Sequence, residues 1–571
     1  MKKWVLSAKK ADFNKIAEKF KIDPVVAALL TNRGIAGDDA IYEYLQGDLS
    51  LLNDPKQMKD MAKTVAILES KIKQGHKIRV IGDYDIDGVM STYILQRGLK
   101  ACGGTVDYVI PHRINDGYGI NIDLIKVAIA EGIDTIITCD NGISASEQIA
   151  YAKEQGLTVI VTDHHEVPYQ EEGDKRHEIL PPADAIVNPK QEQCSYPFEG
   201  ICGATVAYKV MTRLYCQFDL PANKHEEFLE YVAIATIGDV MDLVGENRIL
   251  VKAGLQRLQK TDNFGLRELI KANDLELGHI SPYHIGFVLG PCLNASGRLD
   301  VATYALELLD STDVATAAKI AGDLKALNEA RKIMTVQGVE DAIIKVEDST
   351  IKDDKVLVVY LPDCHESLAG IIAGRLRERY YKPTIILTDG ENCIKGSGRS
   401  IESYSMYDEL VKCQKLFIKF GGHKLAAGLS LKNQDDILKF RKQINEICVL
   451  TKADLTEKIV IDVAMPLSYI SAKLIKEIEL LQPFGKGNTK PVFARKNIII
   501  RDYRIFGKHN NVLKMKAVDE DGFVMDAIYF GENEGFIARI EKPEPIAITY
   551  YPNINSYNGR DTLQVVISHF Q

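Results

Sequence analysis

Short apolar runs alternate with longer amphipathic stretches between residues 77 and 190. The runs have the length of buried strands, and the stretches between them have the length and texture of helices. The five runs are KIRVIG, TVDYVI, DTIITC, LTVIVT and DAIVN. This alternation is typical of a largely parallel sheet with helices on both faces. We therefore predict an α/β domain here.

The pattern changes further along the chain. Residues 203–300 are mostly helical in texture, and residues 312–346 contain no proline while their apolar positions recur at helical spacing. A long connecting helix is predicted there. A second α/β pattern follows, with strand KVLVVYL, helix SLAGIIAGRLRERY and strand PTIILTD. This indicates a second, smaller α/β domain.

From about residue 456 the chain contains short segments rich in β-branched and aromatic residues, broken by Gly, Asn and Asp. Five or six such segments predict a small OB-like β-barrel. The predicted segments are an N-terminal helical segment (1–60), the first α/β domain (61–311), the connecting helix (312–346), the second α/β domain (347–452) and the barrel (453–571).

The composition narrows the class of protein. The chain has 571 residues, of which 46% are hydrophobic and 26% charged, as in globular domains. Its ten cysteines are scattered without a CxxC pair, which favours reduced thiols. No apolar run is long enough to span a membrane, and no apolar core follows the first lysines, so we expect a cytoplasmic protein. The net charge of −9 means that a polyanion would need a local basic patch.

Acids and imidazoles follow three of the predicted strands. Because the carboxyl ends of parallel strands meet at one edge of a sheet, these side chains should converge. One aspartate after a strand is usually a turn former or helix N-cap, but several converging carboxylates repel one another unless a divalent metal binds them. The residues are Asp83, Asp85 and Asp87 after the first strand, Asp140 after DTIITC, and Asp163, His164 and His165 after LTVIVT.

Asp239 is a further candidate, because it ends an apolar helix where the helix dipole disfavours an anion. Taken by itself, Asp239 is as well explained as a solvated acid as it is as a metal ligand, because Asp242 is nearby and both could be solvated. Oxygen ligands with one imidazole suit Mn²⁺ or Mg²⁺ better than zinc. Two such ions, bridged by Asp140, can generate a hydroxide and stabilise displacement at phosphorus. Phosphoester hydrolysis is the predicted reaction class.

The stretches DYDIDG, PHRINDGYG, TCDNGIS and TDHH closely resemble successive motifs of the DHH phosphoesterase superfamily. The resemblance implies two Mn²⁺ or Mg²⁺ ions, with Asp83 as an assisting ligand or a group behind the ligands. His165 would face the scissile phosphate, and Asp87, Asp140 and His165 would be catalytic. The implied metal ligands are Asp85, Asp87, Asp140, His164 and Asp239.

Several polar residues are candidates for binding the substrate. Arg113 lies in PHRINDGYG, and Arg298 follows what we interpret as a small-residue turn in LNASGRLD, with a helix cap as the alternative. Three glycine-containing stretches, CHESLAG, KGSGRS and FGGHKLAAG, are interpreted as phosphate-binding loops, with simple turns as the alternative. They resemble the DHH-associated domain, most loosely at CHESLAG. Their candidate residues are His365, Ser397, Arg399 and His423.

The barrel contains a local basic patch. Residues 495–516 hold seven Lys or Arg against one Asp, with aromatic residues between them. A cationic groove with aromatic rings is how small barrels bind single strands, although a solvated sheet face is the simpler alternative. The candidates are Arg495, Lys496, Arg501, Tyr503, Arg504 and Lys508.

The order of domains is similar to that of the single-stranded-DNA-specific exonucleases of this superfamily. The resemblance implies 5′-to-3′ degradation of single-stranded DNA in recombination and repair, with a helicase and a single-strand-binding protein as partners. Two alternatives stay open. One is a DHH enzyme for cyclic dinucleotides or short oligonucleotides, which would not need the barrel. The other is a non-catalytic single-strand-binding scaffold, which would not need the metal ligands.

Overall fold

A computed structural model describes residues 2–7, 9–112, 119–172, 175–299, 303–507, 510–531, 533–557 and 559–571, leaving out the side chains of residues 172, 175, 298, 299 and 557. The chain divides into two compact units, a larger one formed mainly by Val5–Gly297 and Val460–Gln571 and a smaller one formed mainly by Gly322–Ile459. In this described part, no helix combines the length and apolarity that crossing a bilayer requires. All ten cysteines lie in the described residues, and none of them forms a disulfide bond there.

The elements are numbered in chain order. The strands are β1 Lys3–Leu6, β2 Lys77–Ile81, β3 Thr105–Val109, β4 Thr135–Cys139, β5 Thr158–Thr162, β6 Tyr169–Glu172, β7 Lys175–Glu178, β8 Ala185–Val187, β9 Leu357–Tyr360, β10 Thr384–Asp389, β11 Ile394–Arg399, β12 Phe417–His423, β13 Ala426–Leu431, β14 Lys458–Ile461, β15 Val463–Ala464, β16 Phe493–Phe506, β17 Val512–Val518, β18 Val524–Phe530, β19 Ile546–Tyr557 and β20 Arg560–Phe570. The helices are α1 Phe13–Phe20, α2 Pro24–Asn32, α3 Asp38–Gln46, α4 Met61–Lys73, α5 Ile86–Ala101, α6 Ile122–Ala130, α7 Ser146–Glu154, α8 Gly203–Gln217, α9 Leu229–Gly238, α10 Gly245–Leu258, α11 Phe264–Ala272, α12 Pro282–His284, α13 Gly290–Leu299, α14 Thr303–Asp310, α15 Val314–Glu347, α16 Glu366–Tyr380, α17 Met406–Val411, α18 Asp435–Glu446, α19 Ala472–Glu479 and α20 Asn533–Ile540.

The five apolar runs of the first α/β domain form one parallel sheet in the order β3-β2-β4-β5-β8. Helices α6 and α7 pack on one face around buried residues such as Ile136 and Val159, and α5 and α8 cover the other face. The chain passes from β2 to β3 on one side and returns to β4 on the other. Such a reversal opens a crevice at the carboxyl ends of the two central strands. The predicted parallel sheet is confirmed.

The connecting helix is also confirmed, because α15 spans 34 residues. In the smaller unit, Ala342 and Val346 of α15 pack with Leu368 and Ile372 of α16. The sheet of this unit has the order β12-β13-β11-β10-β9, in which only β9 and β10 run parallel.

The C-terminal strands close into a barrel. The sheet order is β15-β16-β17-β18-β20-β19, and β16 also pairs with β19, which closes β16, β17, β18, β20 and β19 into a barrel and leaves β15 beside β16. Strands β18 and β20 are parallel and the pairs β16–β17, β17–β18, β19–β20 and β16–β19 are antiparallel. This is the five-stranded Greek-key closure of an OB-fold, as predicted.

The N-terminal helices share a core with this barrel. Val26 and Leu29 of α2 and Ile41 of α3 are buried in the same cluster as Phe493 and Ile548 of the barrel. Nothing in the sequence indicated this contact, because amphipathic helices show which face is buried but not against what.

Two local interpretations were wrong. The LNASGRLD stretch is not a turn: its residues up to Leu299 belong to α13, where Leu293, Ala295 and Ser296 are buried. Packing here overrides the weak helix propensity of Asn, Ser and Gly. The KGSGRS and GGHKLAAG stretches are not loops but lie largely in the strands β11, β12 and β13. Glycine is needed in β11 because a Cβ at Gly396 would lie 2.7 Å from Leu387.

Candidate metal centre

The turn between β2 and α5 carries the first three aspartates. Asp85 is the N-cap of α5, and its Oδ1 accepts from the backbone N–H of Asp87 at 3.0 Å and of Gly88 at 3.1 Å. A Cβ at Gly88 would lie 2.3 Å from the carbonyl oxygen of Asp83, so only glycine permits so tight a turn. The three carboxylates are thereby held at the carboxyl end of β2.

Asp87 is fully buried and is held by the first turn of α8. Gly203 N–H donates to its Oδ2 at 2.6 Å, and Ala204 N–H donates to its Oδ1 at 2.8 Å. A helix N-terminus favours an anion, and hydrogen bonds to a carboxylate are strong, so this contact offsets part of the cost of burial. Sequence reasoning missed this support; the only signal was the small-residue run GICGA before a helical pattern.

Asp140 lies directly after β4 in a left-handed backbone conformation, with φ of 59°. Its N–H donates to Thr162 O at 3.1 Å. The next residue, Asn141, is buried and donates through Nδ2 to Ile81 O at 3.1 Å and Cys139 O at 2.8 Å. This conformation is unfavourable for a residue with a side chain and persists where surrounding contacts enforce it, often at functional sites.

His164 is buried among these acids. Its Nε2 lies 3.1 Å from Oδ1 of Asp140 and 3.4 Å from Oδ2 of Asp87. The same atom is 3.8 Å from Oδ2 of Asp239, which caps the C-terminus of α9. Its other ring nitrogen, Nδ1, is buried without a hydrogen-bond partner within the described residues. Nε2 is therefore the nitrogen that faces the carboxylates.

The electrostatics of the cluster favour a bound cation. Burial, followed by the charges of Asp87, Asp85 and Asp83, raises the pKa of Asp140 well above its usual range. Burial and the charges of Asp87 and Asp85 likewise raise the pKa of Asp239 to about 8. Two carboxylates about 4 Å apart repel by about 4 kcal/mol at an effective dielectric constant of about 20. Divalent cations remove this repulsion.

The donor atoms form overlapping groups in which every atom lies within 4.8 Å of the others. One group contains Asp83 and Asp140, another contains Asp87 and Asp239, and His164 links them through its contact with Asp140. Carboxylate oxygens with one or two imidazoles fit Mn²⁺ or Mg²⁺. The groups are Asp83 Asp85 Asp140, Asp87 His164 Asp239 and Asp140 His164 His165.

His165 is held by Asp163, whose Oδ1 lies 2.7 Å from its Nδ1. The same oxygen accepts from the backbone N–H of His164 and His165, and Oδ2 accepts from Ile143 N–H at 3.0 Å. Burial opposes ionisation of both groups, but their interaction lowers the pKa of Asp163 to about 2 and raises the pKa of His165 to about 9. Asp163 therefore supports the site, a role that the sequence did not distinguish from those of the other strand-end acids.

A cavity of about 220 Å³ opens beside His165. Asn141, Ser144 and Gln148 contribute polar atoms to its wall, and Gly119 closes one side. The cavity is therefore bounded by the imidazole of His165 and by Asp163, which holds that imidazole.

In the smaller unit, Ser397 and Arg399 project from alternate positions of β11 toward α16. A Cβ at Gly370 would lie 2.9 Å from Oγ of Ser397 and 2.8 Å from Nη2 of Arg399. His365 is the N-cap of α16, and its Nδ1 accepts from Ser367 N–H at 3.3 Å. These three candidates thus lie along the first turns of one helix, where N–H groups favour anions.

His423 is exposed at the end of β12 and pairs with Ala426, which pairs in turn with Arg399. Adjacent strands are about 4.8 Å apart, so His423 lies two strands, or about 10 Å, from Arg399. The structure places it at the same end of the sheet.

Two arginines of the basic patch lie opposite lysines of the neighbouring strand. Arg501 is opposite Lys516, and Arg504 is opposite Lys514, across β16 and β17. Like charges directly opposite each other destabilise a sheet. Lys516 is compensated by Asp526 at 2.5 Å.

Other members of the patch contribute differently. Arg495 forms an ion pair with Glu520 at 2.6 Å, so its charge is partly neutralised. The hydroxyl of Tyr503 donates to Glu541 at 3.1 Å, and Lys496 is exposed.

Three candidate residues cannot be placed. Arg113 and Lys508 lie outside the described residues, and the side chain of Arg298 is also outside the description.

Three family models match successive parts of the chain. The DHH family, N-terminal domain, matches residues 77–236, the DHHA1 domain matches residues 353–450, and the RecJ OB domain matches residues 461–569.

Curated relatives match nearly the whole chain. The single-stranded-DNA-specific exonuclease RecJ of Bacillus subtilis is 35% identical to this chain. The match covers 97% of this chain and 68% of the Bacillus subtilis protein. The protein of the same name from Haemophilus influenzae is 32% identical, covering 91% of this chain and 92% of its own.

A solved structure shares the fold. RecJ from Thermus thermophilus in complex with Mn²⁺ is 26% identical, with a TM-score of 0.83 over 100% of this chain and 79% of that one. The same protein in complex with Mg²⁺ is 25% identical, with a TM-score of 0.77 and coverage of 100% and 78%. The predicted fold class is confirmed.

Proposed function

Because the chain belongs to the RecJ family, we propose that it is a single-stranded-DNA-specific exonuclease that acts in recombination and repair. The observation that carries this proposal is the convergence of acids and an imidazole at the carboxyl ends of β2, β4 and β5, in groups of three residues whose donor atoms lie within 4.8 Å of one another. A scaffold that only binds single strands would bear the repulsion of this cluster without using it.

The metal ligands that we propose are Asp85, Asp87, Asp140, His164 and Asp239. Asp83 is the sixth candidate, since one donor group contains it together with Asp85 and Asp140. Two Mn²⁺ or Mg²⁺ ions bound there would activate a water molecule and stabilise the charge that develops on the phosphate in hydrolysis.

Backbone and side-chain groups of the protein orient Asp87 and His165. Gly203 and Ala204 fix both oxygens of Asp87, which prevents this carboxylate from rotating. Asp163 holds a proton on Nδ1 of His165, so Nε2 is the atom available to a phosphate oxygen. We propose that His165 contacts the scissile phosphate from the neighbouring cavity.

Polarity would follow from recognition of the chain end. We propose that Ser397, Arg399 and His365 contact the 5′ phosphate, because they cluster at the first turns of α16. We include His423, Arg113 and Arg298 on their sequence motifs alone. Fixing the 5′ end would make degradation run from 5′ to 3′.

The barrel would bind the strand further from the cut. The pair of Arg504 and Lys514 gains a favourable partner when a phosphate backbone lies across it. Lys496, Arg501 and Tyr503 are also exposed, and we propose that they contact the strand as well.

The setting of the enzyme is also a proposal. We propose that it acts in the cytoplasm, where its ten cysteines, none of them in a disulfide bond in the described residues, would stay reduced. A helicase would supply single strands, and a single-strand-binding protein would keep them unpaired. We further propose the five predicted segments, 1–60, 61–311, 312–346, 347–452 and 453–571, as its domains.

The test uses 5′-labelled single-stranded and blunt duplex DNA with Mn²⁺, comparing wild type with Asp140→Asn. We expect release of labelled mononucleotide from the single strand alone, and none from the variant. Calorimetric titration with Mn²⁺ should show weaker binding by the variant. Equal cleavage of blunt duplex would contradict strand specificity, and unchanged cleavage by Asp140→Asn would contradict the assignment of the site.

A further inference from the structure

An exposed pair of aromatic rings lies on the segment of residues 282–290, which comprises α12, the turn that follows it and the first residue of α13. Tyr283 and Phe287 are each 64% exposed, and their rings stack with centroids 5.0 Å apart and planes inclined by 28°. On the opposite side of the same segment, Ile285 and Leu289 are buried. The segment is anchored in the core and presents both rings to solvent.

This segment packs on two isoleucines that neighbour metal-binding acids in the chain. A Cβ at Gly290 would lie 3.2 Å from the side chain of Ile86, the residue between two of the aspartates. A Cβ at Gly286 would lie 3.7 Å from Ile237, two residues before Asp239. The two glycines therefore place the segment next to residues that neighbour metal-binding acids in the chain, and Phe287 directly follows Gly286.

The backbone of this segment has an unusual conformation that hydrogen bonds hold in place. Residues Ile285–Leu289 form a π-helical turn, closed by Gly290 N–H donating to Ile285 O. Before it, Ser281 N–H donates to Nδ1 of His284 at 3.2 Å. π-helical turns are rare in proteins, and many of those that occur lie at functional sites. The rings thus project from a fixed backbone, which limits the entropy lost when a ligand binds them.

We propose that Tyr283 and Phe287 form a stacking platform for nucleobases of the DNA strand next to the scissile phosphate. The proposal rests on the proposed function and specifies how that site holds its substrate. Every base has a π-face, so stacked aromatic rings bind single strands with little sequence preference. The bases of a duplex are already stacked on one another, so the platform also selects for single strands.

The test compares Tyr283→Ala, Phe287→Ala and the double variant with wild type on a 5′-phosphorylated oligodeoxynucleotide in Mn²⁺. We expect KM to rise about tenfold for each single variant and about a hundredfold for the double variant, with a smaller effect on kcat. Tyr283→Phe and Phe287→Tyr keep the rings and should restore KM to within about twofold of wild type. Tyr42→Ala is the matched control, because Tyr42 is 62% exposed on α3.

A second substrate separates stacking from other effects. On an oligomer with abasic sites at its first few positions, wild type and the double variant should have similar KM. An equal rise in KM on both oligomers would overturn the proposal. An unchanged KM of the double variant on normal DNA would also overturn it and would assign the rings to a protein partner.

Fluorescence anisotropy can measure the binding of the same oligomers in metal-free buffer, where no cleavage occurs. This measurement keeps the two proposals distinguishable. If wild type cuts no DNA, the proposed function fails. The stacking proposal then stands or falls on whether the double variant binds normal DNA more weakly than wild type does.

Discussion

Metal binding should depend on Gly203, the first residue of α8. Replacing it with alanine places a Cβ 2.8 Å from Cβ of Asp140 and 3.0 Å from Oδ2 of Asp87. Carbon atoms in contact normally lie about 3.5–4.0 Å apart, so one of the two groups must move by about 0.7 Å or more. Neither group can move freely, because Asp140 has a constrained backbone and Asp87 accepts two hydrogen bonds from α8.

The expected magnitude follows from these contacts. A hydrogen bond to a charged group contributes about 1.5–3 kcal/mol, and the shift should weaken at least one of the two bonds to Asp87. Changes to groups that orient metal ligands typically cost about 10–100-fold in metal affinity. We therefore expect Gly203→Ala to bind Mn²⁺ about 10–100 times more weakly, while excess Mn²⁺ restores most of the hydrolysis rate.

Isothermal titration with Mn²⁺ measures the affinity, and the rate of single-strand hydrolysis against Mn²⁺ concentration measures the rescue. Gly98→Ala is the matched control. It adds the same methyl group between α5 and α8, but 2.8 Å from the flexible side chain of Met211 rather than a metal ligand. If Gly203→Ala bound Mn²⁺ as tightly as Gly98→Ala, α8 would not position the ligands.

Three further changes test other parts of the reasoning. In metal-free buffer, Asp239→Asn should raise the thermal midpoint, because it relieves repulsion of roughly 1–3 kcal/mol; a lower midpoint by calorimetry would contradict the crowding of charge. Arg504→Glu should stabilise the barrel by about 0.2–1 kcal/mol through a cross-strand pair with Lys514, yet weaken binding of long single strands and reduce its salt dependence. If fluorescence anisotropy showed that Arg504→Glu binds long single strands as tightly as wild type does, the basic patch would not contact DNA. Arg399→Ala should raise KM more for 5′-phosphorylated than for 5′-hydroxyl oligomers, and an equal effect on both would refute end recognition.

Much of the fold could be predicted from the sequence because its signals are periodic. The apolar runs of the first domain all became parallel strands, and the proline-free stretch became the helix Val314–Glu347. The convergence of Asp87, Asp140 and His164 could also be anticipated, since topology alone brings the ends of neighbouring parallel strands together.

Contacts between distant segments could not be predicted in this way. Gly203 and Asp87 are separated by 116 positions, and no periodic pattern encodes the bond between them. The glycines of KGSGRS indicated a loop, because glycine in a single sequence signals backbone freedom. In the structure Gly396 is instead required by the close approach of Leu387 within the sheet. The same residue type serves both needs, so sequence could not distinguish them.

The crowded carboxylates link metal binding to stability. Asp140 and Asp239 both have raised pKa values because burial and neighbouring charges disfavour their ionised forms, and a bound cation reverses both penalties. The free energy of metal binding therefore includes relief of repulsion already present in the fold, and the metal-bound protein should be more stable than the metal-free protein. The support for Asp87 from α8 serves a different purpose, because its two hydrogen bonds hold one ligand in place before a metal arrives. Repulsion among the other acids drives binding, and the fixed position of Asp87 determines where the ion is held.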